Sequence, residues 1–252
     1  MWLLGTARAN LVFFPRPEHV PEPGYAILSH TWGPREDTFQ AVQKLNEEAK
    51  QATPADALKA RISELSLQAE KFEYEFAWVD TCCIDKTSSA ELSEAINSMF
   101  QYYSHSAVCY VYLSDVPSIP YEESFRRSKW HFRGWTLQEL LASPVVLFFS
   151  EQWELLGTKH DLAQLLYEAT GVPAAVLRFE TDIQHMSIVE RLSWASRRET
   201  TRPEDIAYCL FGIFGINMPT LYGEGGEKAF YRLLEEIMKT SHHTQSTPAG
   251  EK

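Results

Sequence analysis

The sequence contains the stretch Trp130-His-Phe-Arg-Gly-Trp-Thr-Leu-Gln-Glu-Leu-Leu-Ala142, in which a glycine precedes a leucine-rich run. We predict a turn at Gly134 and a helix from Trp135 to Ala142. Successive residues of a helix are about 100° apart, so the leucines of this stretch share one face and are expected to pack into a core. These leucines are Leu137, Leu140 and Leu141.

The opposite face of this helix carries Trp135 and Glu139, which are four residues apart. Residues at this spacing are neighbours on a helix surface. A large aromatic side chain seldom lies on a face that meets only water. The pair therefore indicates the wall of a pocket or of an interface, and these residues alone favour a structural role over a catalytic one.

Composition and charge describe a globular chain with an acidic surface. Its 252 residues are 44% hydrophobic and 13% aromatic, which suffices for one large domain or for a domain with a subdomain. The formal net charge is −11, and negative charge disfavours binding to nucleic acid or to an anionic membrane. We expect neither kind of partner.

The four cysteines indicate neither a zinc site nor a disulfide framework, because no pair has the CxxC spacing. Cys82 and Cys83 are adjacent in the sequence. Unpaired cysteines fit a reducing compartment. The N-terminus is interrupted by Arg8 and has no basic region of the kind that begins a secretion signal. We expect a cytoplasmic protein without a bound metal.

Short apolar runs alternate with helical patterns along the first part of the chain, as in doubly wound α/β proteins with a mainly parallel sheet. The predicted strands are 25–29, 76–79, 108–113 and 144–149. The predicted helices among them begin at Thr38, Ala55 and Ala90. From about Trp153 only helical patterns occur, at 159–169, 187–195, 203–214 and 227–239. We divide the chain into an α/β part at 1–154, a helical part at 155–240 and a tail at 241–252.

Polar residues come directly after the predicted strands, at the edge where ligands bind in open α/β sheets, beyond the carboxyl ends of the strands. Ser114 and Asp115 come after the third strand, and the helix from Trp135 opens between strands three and four. We expect Glu139 to share a cleft with the side chains at the ends of the first two strands. Those side chains are Ser29, His30, Trp32, Asp80, Cys83 and Asp85.

Long segments of the chain resemble the motifs of the fungal heterokaryon incompatibility (HET) domain, in the same order. In the α/β part these are Tyr25–Gly33, Trp78–Lys86 and Arg133–Leu140. In the helical part they are Arg191–Ser196, Thr200–Leu210 and Leu221–Gly225. The resemblance implies a domain of fungal innate immunity, used in non-self recognition, whose activation triggers programmed cell death. It also implies homo-oligomers that form when a larger receptor clusters the domain.

A more distant resemblance is to TIR domains, which have a flavodoxin-like sheet. In those domains a strand ends in a serine, and a Trp-x-x-x-Glu segment comes after it. Here Val111-Tyr-Leu-Ser114 is similar to the strand end, and Trp135-Thr-Leu-Gln-Glu139 is similar to the second segment. In enzymatic TIR domains the glutamate is the catalytic residue of NAD⁺ glycohydrolysis. The resemblance therefore implies a TIR-like fold, a catalytic Glu139, and NAD⁺ or a related nucleotide as substrate with no separate cofactor.

Cleavage of the bond between nicotinamide and ribose makes few demands on a protein. The leaving group is already activated as a pyridinium, and the transition state resembles an oxocarbenium ion that a nearby carboxylate stabilises. Glu139 supplies a carboxylate, and Trp135 or Trp32 supplies an aromatic ring for stacking. The rival carboxylates, Glu91 and Glu94, lie in the first turns of a predicted helix, where negative charge stabilises the helix terminus.

The residues at the strand ends have binding roles in this hypothesis and structural roles in its alternative. Ser29 and His30 are expected to contact a phosphate or the base, and Asp80 or Asp85 is expected to hold a ribose diol. The alternatives are a turn histidine bonded to a carbonyl group and aspartates that cap loops. A nucleophilic pair of Cys83 and His30 has no third residue to orient it, which disfavours that mechanism.

Two hypotheses of function stand side by side. In the first, the chain is a cell-death effector and a hydrolase that cleaves NAD⁺ to nicotinamide and an ADP-ribose product when copies associate. In the second, it is a non-enzymatic signalling module that acts by oligomerisation or by recruiting a partner. One carboxylate and one aromatic ring fit both hypotheses, so the sequence leaves the choice open.

Overall fold

The computed structural model describes residues 1–7, 10–33, 36–49 and 74–245. Its centre is a seven-stranded sheet with the order β2-β1-β4-β3-β5-β6-β7. The strands are β1 (Trp2–Gly5), β2 (Leu11–Phe13), β3 (Tyr25–His30), β4 (Phe76–Trp78), β5 (Val108–Tyr112), β6 (Val146–Phe149) and β7 (Leu155–Thr158). The helix predicted from Ala55 lies outside the described residues.

The four central strands confirm the predicted mainly parallel α/β sheet. β4, β3, β5 and β6 pair in parallel. Numbered along the chain from β3, they lie in the spatial order 2-1-3-4, which is the order of flavodoxin-like doubly wound sheets. In that arrangement the strand order reverses between β3 and β5, and ligands bind beside such a reversal.

Three antiparallel strands at the sheet edges were not predicted. β1 and β2 form a hairpin that pairs with β4 through β1, ahead of the first strand predicted from the sequence. β7 pairs with β6 and lies beyond residue 154, so the sheet continues into the part predicted to be helical. Strands of three or four residues are too short to show a clear alternation of apolar and polar side chains.

Ten α-helices surround the sheet in the described part of the chain. They are α1 (Phe39–Ala49), α2 (Ser89–Ser104), α3 (Glu122–Arg127), α4 (Thr136–Ala142), α5 (Ala163–Thr170), α6 (Ala174–Leu177), α7 (Ile188–Ser193), α8 (Asp205–Tyr208), α9 (Phe211–Phe214) and α10 (Gly226–Gln245). Short 3-10 helices occur at Pro17–His19, Lys129–Phe132 and Ile183–His185.

The helix boundaries differ from the prediction in three places. α2 begins at Ser89, one residue before the predicted start, and Ser88 caps it, since its hydroxyl accepts the N–H of Glu91 at 3.3 Å. The single helix predicted at 203–214 is two short helices, α8 and α9, of which the second ends at a left-handed Gly215. The last helix ends at Gln245, inside the stretch predicted as a tail. No helix in the described part of the chain is long and apolar enough to cross a bilayer.

Helix α4 is the element predicted around Trp135, and its leucine face is buried as expected. Leu137 and Leu140 are fully inaccessible to solvent. Two buried cationic side chains hold the ends of the helix. At the start, the Arg198 guanidinium donates to the Arg133 carbonyl at 2.9 Å and to the Thr136 hydroxyl at 2.8 Å. Arg198 therefore fixes the start of the helix that carries Glu139.

At the other end of α4, Lys159 is only 3% exposed, and its ammonium donates to the carbonyls of Leu140, at 3.0 Å, and Ser143. These carbonyls belong to the last turn, where the backbone has no partner within the helix. Burial lowers the pKa of Lys159 to about 7. A neutral amine keeps two N–H donors, so both carbonyls stay satisfied when the proton leaves.

The buried lysine predicts how stability depends on pH. The folded pKa of Lys159, about 7, lies below its ordinary 10.5, so the unfolded chain binds more protons in this interval and stability rises with pH across it. We expect Lys159 to contribute an increase in the free energy of unfolding, measured with urea, from about pH 7 towards pH 10, while buried thiols of raised pKa, such as Cys109 and Cys209, act in the opposite direction. Lys159→Met should remove most of this increase, and replacing the exposed Lys228 with Met should leave it intact. An unchanged slope in Lys159→Met would contradict the prediction.

Candidate functional site

A cleft of about 240 Å³ opens beside the ends of β3 and β4, between the sheet, α2, α4 and the C-terminal helices. Its inner wall is apolar and comes mainly from α2, through Leu92, Ile96 and Met99. The cleft also brings together five of the residues that the sequence analysis singled out. These are His30, Trp32, Asp80, Trp135 and Glu139.

Glu139 lies at the buried end of the cleft and is held by a chain of hydrogen bonds. The hydroxyl of Ser29 donates to its carboxylate. The Trp130 indole N–H in turn donates to the Ser29 hydroxyl oxygen at 2.7 Å. Ser29 and Trp130 are each 1% exposed, so this chain orients one carboxylate oxygen from within the core. Ser29 therefore contacts Glu139 from behind instead of lining the cleft.

Burial raises the pKa of Glu139 to about 7, and the charge of Asp80 adds to the increase. The hydrogen bond from Ser29 and the proximity of His30 act in the opposite direction, because both favour the ionised form. Near neutral pH the group can therefore counter a developing positive charge when ionised or hold a proton when neutral. A pKa in this range is typical of carboxyl groups that exchange protons during a reaction.

His30 ends β3 and faces the same cleft, with its Nε2 3.3 Å from a carboxylate oxygen of Glu36. Burial alone would lower the pKa of His30, but the hydrogen bond to Glu36 and the negative charges of Asp80 and Glu36 outweigh it and raise the pKa. Its Nδ1 is buried and has no hydrogen-bond partner among the described residues. The structure therefore does not show the alternative role of His30, in which its ring bonds to a backbone carbonyl group of a turn.

One side of the cleft mouth is formed by Trp32 and Asp80. The Trp32 indole N–H donates to a carboxylate oxygen of Asp80 at 2.8 Å. The Lys86 ammonium lies over the indole ring, 4.0 Å from its centroid. The hydrogen bond and the cation hold the Trp32 ring in position at the mouth. The side chain is nevertheless 56% exposed, so a large aromatic surface faces the solvent there.

The opposite side is formed by Trp135 together with residues of the helical part. The Trp135 indole N–H donates to one carboxylate oxygen of Asp205 at 3.1 Å, and the Tyr222 hydroxyl donates to the other at 2.8 Å. Arg202 lies 4.2 Å from the centroid of the Tyr222 ring. The cleft therefore lies between the α/β part and the helical part, and both contribute aromatic rings.

Besides Tyr103, Thr136 and Thr201, the sequence analysis missed five polar or aromatic residues that line this cleft. They are Lys86, Arg133, Arg202, Asp205 and Tyr222. All five lie inside segments whose resemblance to HET motifs had been noted, which was the available signal. The positions of Arg202, Asp205 and Tyr222 in the cleft depend on how the helical part packs, and spacing along the chain does not show that packing.

The structure does not bring Cys83 or Asp85 to the cleft. Cys83 lines a second cavity beside Trp2 and is 2% exposed, with its sulfur 3.4 Å from the Val79 nitrogen that donates to it. A nucleophilic pair with His30 is thereby excluded by position. The Asp85 carboxylate accepts from the Gln40 amide at 2.6 Å and from the Thr87 N–H at 2.9 Å, so it caps the loop before α2.

The other polar groups at the strand ends have structural partners. Asp115 accepts from the Ser128 hydroxyl at 2.7 Å and from the Lys129 N–H at 2.8 Å, which fixes the 3-10 helix before α4. Glu91 accepts from the Asp85 N–H at 3.0 Å, and Glu94 lines the second cavity. Among the side chains that the structure describes, no three His, Cys, Asp or Glu converge on a possible metal position.

Comparison with known proteins supports the family that the motifs indicate. The family model described as "Heterokaryon incompatibility protein (HET)" matches residues 25–118. The chain is also 44% identical over 227 residues to the vegetative incompatibility protein HET-E-1 of Podospora anserina, an alignment that includes 86% of this chain. The chain belongs to the HET family. The aligned part makes up 16% of the relative, so this HET chain spans about one sixth of that protein's length.

No solved structure matches the HET chain, and its likeness to TIR domains stays a prediction. The match to the family model ends at residue 118, before Glu139 and before the helical part.

The hydrogen bond from Ser29 leads to a prediction about Glu139. Removing the hydroxyl in Ser29→Ala removes a donor that favours the ionised carboxylate, so the pKa of Glu139 should rise further above its value of about 7. NMR titration of ¹³C-labelled glutamate carboxyl groups measures this, with Glu139→Gln identifying the resonance. Ser118→Ala, which removes a hydroxyl bonded to Ser150 and Gln152, is the control. A lower or unchanged pKa in Ser29→Ala would show that Ser29 does not stabilise the anion.

Proposed function

We propose that this HET domain hydrolyses NAD⁺ to nicotinamide and an ADP-ribose product, with Glu139 as the catalytic residue. We further propose that this reaction makes it an effector of programmed cell death in fungal non-self recognition, acting in the cytoplasm. The observation that supports the reaction most directly is the placement of one carboxylate, oriented by Ser29, at the inner end of a cleft whose mouth carries aromatic rings.

The reaction breaks the bond between C1′ of the ribose and the pyridinium nitrogen. The bonding electrons stay with the nitrogen, and nicotinamide leaves as a neutral molecule without a proton from the protein. Positive charge then spreads over C1′ and the ring oxygen, where an ionised carboxylate held in an enclosed site stabilises it. Water adds to C1′ and loses a proton, and Glu139, whose pKa is about 7, is suited to accept that proton.

The walls of the cleft suit the other parts of a dinucleotide. Planar aromatic rings pack well against the apolar surface that Ile96 and Met99 provide and against the exposed face of Trp32. Asp80, at the mouth, is placed for a ribose hydroxyl, although it also accepts from Trp32. The same surroundings exclude water from around Glu139, which strengthens its electrostatic effect.

The role in cell death rests on the family and not on the cleft. The relative from Podospora anserina is named a vegetative incompatibility protein, which supports a part in non-self recognition for this chain as well. The relative is much longer than the aligned region, and further regions of such a protein could bring copies of the domain together. We therefore include self-association in the proposal, as the step that activates hydrolysis.

Replacing Glu139 with glutamine tests the chemistry. Glu139→Gln keeps the shape of the side chain and a carbonyl oxygen that accepts from Ser29, but it has no charge. We expect nicotinamide release from NAD⁺ to fall by about 10²- to 10³-fold, as when a preorganised electrostatic group is lost. In the wild type kcat/KM should rise through about pH 7 as the carboxyl group ionises. Nicotinamide is quantified by chromatography.

The control for this experiment is Glu94→Gln, whose side chain belongs to the second cavity and should not affect turnover. Stability is a second measurement. Because the pKa of Glu139 is raised on folding, its ionised form opposes folding, and above about pH 7 the glutamine variant should be at least as stable as the wild type. If the wild type releases no nicotinamide and Glu139→Gln still kills cells, the non-enzymatic signalling module replaces this proposal.

Self-association leads to its own prediction. If contact between copies activates the cleft, the rate of nicotinamide release per molecule should increase with protein concentration, because more of the protein is then associated. Fusion to a domain that dimerises on addition of a small molecule should produce the same increase at constant concentration. A rate per molecule that stays constant in both experiments would indicate that the monomer is fully active.

A further inference from the structure

Three cationic side chains line the mouth of the cleft, and none of them takes part in the hydrogen bonds that hold Glu139. They are Lys86, Arg133 and Arg202. Lys86 comes from the loop after β4, on the side of the sheet. Arg133 and Arg202 come from the other side, where residue 133 pairs with residue 199 in an isolated parallel bridge. Positive charge therefore flanks the opening from both parts of the chain.

These three cations have no ion pair among the described residues, and their close partners are neutral groups. Lys86 lies over the ring of Trp32 at 4.0 Å, and Arg202 lies over the ring of Tyr222 at 4.2 Å. Arg133 donates to the Thr201 hydroxyl at 3.0 Å. Stacking on an aromatic face holds a cation in place but leaves its N–H donors largely unused.

The nearby carboxylates attract these cations, Asp80 acting on Lys86 and Asp205 on Arg202, but they form no direct ion pair with them among the described residues, and their oxygens accept from other donors. Asp80 accepts from the indole of Trp32, and Asp205 accepts from Trp135 and Tyr222. In a chain with 34 acidic and 23 basic residues, acidic partners are abundant. At this opening, however, the cations form no ion pair, and the neighbouring carboxylates accept from neutral donors. This arrangement indicates a binding site for an anion that belongs to a ligand.

We propose that Lys86, Arg133 and Arg202 bind the phosphate groups of the ligand. This rests on the cleft being the nucleotide site proposed above, and it adds that the cleft accepts nucleoside diphosphates and dinucleotides and rejects unphosphorylated nucleosides. Guanidinium groups bind phosphate oxygens through paired N–H donors, and a lysine adds a compact charge. With a cation on either side of the opening, a diphosphate would bridge the two parts of the chain.

Calorimetric binding to the wild-type protein tests the proposal with ligands that lack the scissile bond: ADP-ribose, ADP and adenosine. ADP and ADP-ribose should bind at least about tenfold more tightly than adenosine, as expected for charge-assisted hydrogen bonds. Their affinity should fall as salt is added, and that of adenosine should not. Arg202→Gln and Lys86→Gln change exposed side chains. Each substitution should weaken the binding of ADP by about tenfold and leave the affinity for adenosine unchanged.

The matched control is Lys228→Gln, an exposed cation on α10 outside the cleft, which should bind ADP like the wild type. Equal affinity for ADP and adenosine, no binding of either diphosphate, or an ADP affinity unaffected by both substitutions would overturn the proposal. These measurements need no turnover. If ADP binding depends on Arg202 and Lys86 but NAD⁺ yields no nicotinamide, the phosphate site stands and the hydrolysis proposal fails.

Discussion

The arrangement of the cleft depends on the hydrogen bonds that run from Trp130 through Ser29 to Glu139. They connect the segment before α4 to the end of β3, two elements about a hundred residues apart in the sequence, as the separation of 101 between Trp130 and Ser29 shows. A buried hydroxyl that both accepts and donates leaves little freedom to either partner. The carboxylate is thereby tied to the carboxyl end of β3, the middle strand of the sheet, beside which the cleft opens.

The two ends of α4 explain why a helix of seven residues can carry such a group. So short a helix is not stable by itself, and its free N–H and C=O groups need partners. Lys159 donates to carbonyls at the end of the helix, and Arg198 holds the start by donating to the Arg133 carbonyl and the Thr136 hydroxyl. Both are cationic groups in largely apolar surroundings, which costs stability. The chain bears that cost at the helix that carries Glu139, whose position these contacts fix.

The central sheet and one wall of the cleft could be predicted from the sequence. The physical rule that allowed this does not apply to turns or to the opposite wall of the cleft. Apolar runs mark buried parallel strands, and the residues at the carboxyl ends of such strands lie at one edge, so His30, Trp32 and Asp80 could be placed. This rule does not give the direction of a side chain within a turn. The turn after β4 brings Cys83 under the sheet and into contact with Val79. The opposite wall depends on the packing of Asp205 and Tyr222 against Trp135, a contact across seventy residues that no local pattern reports.

The division of the cleft between distant segments also determines when it appears during protein synthesis. A ribosome that has translated the whole sheet, through β7, has not yet made Arg202, Asp205 or Tyr222. The nascent chain can fold around its parallel strands and place Glu139 on α4, but one side of the cleft is still missing until residue 222 has left the exit tunnel. Prematurely terminated products that end before residue 200 lack the same wall. The cleft is therefore complete only after the C-terminal helices have been made.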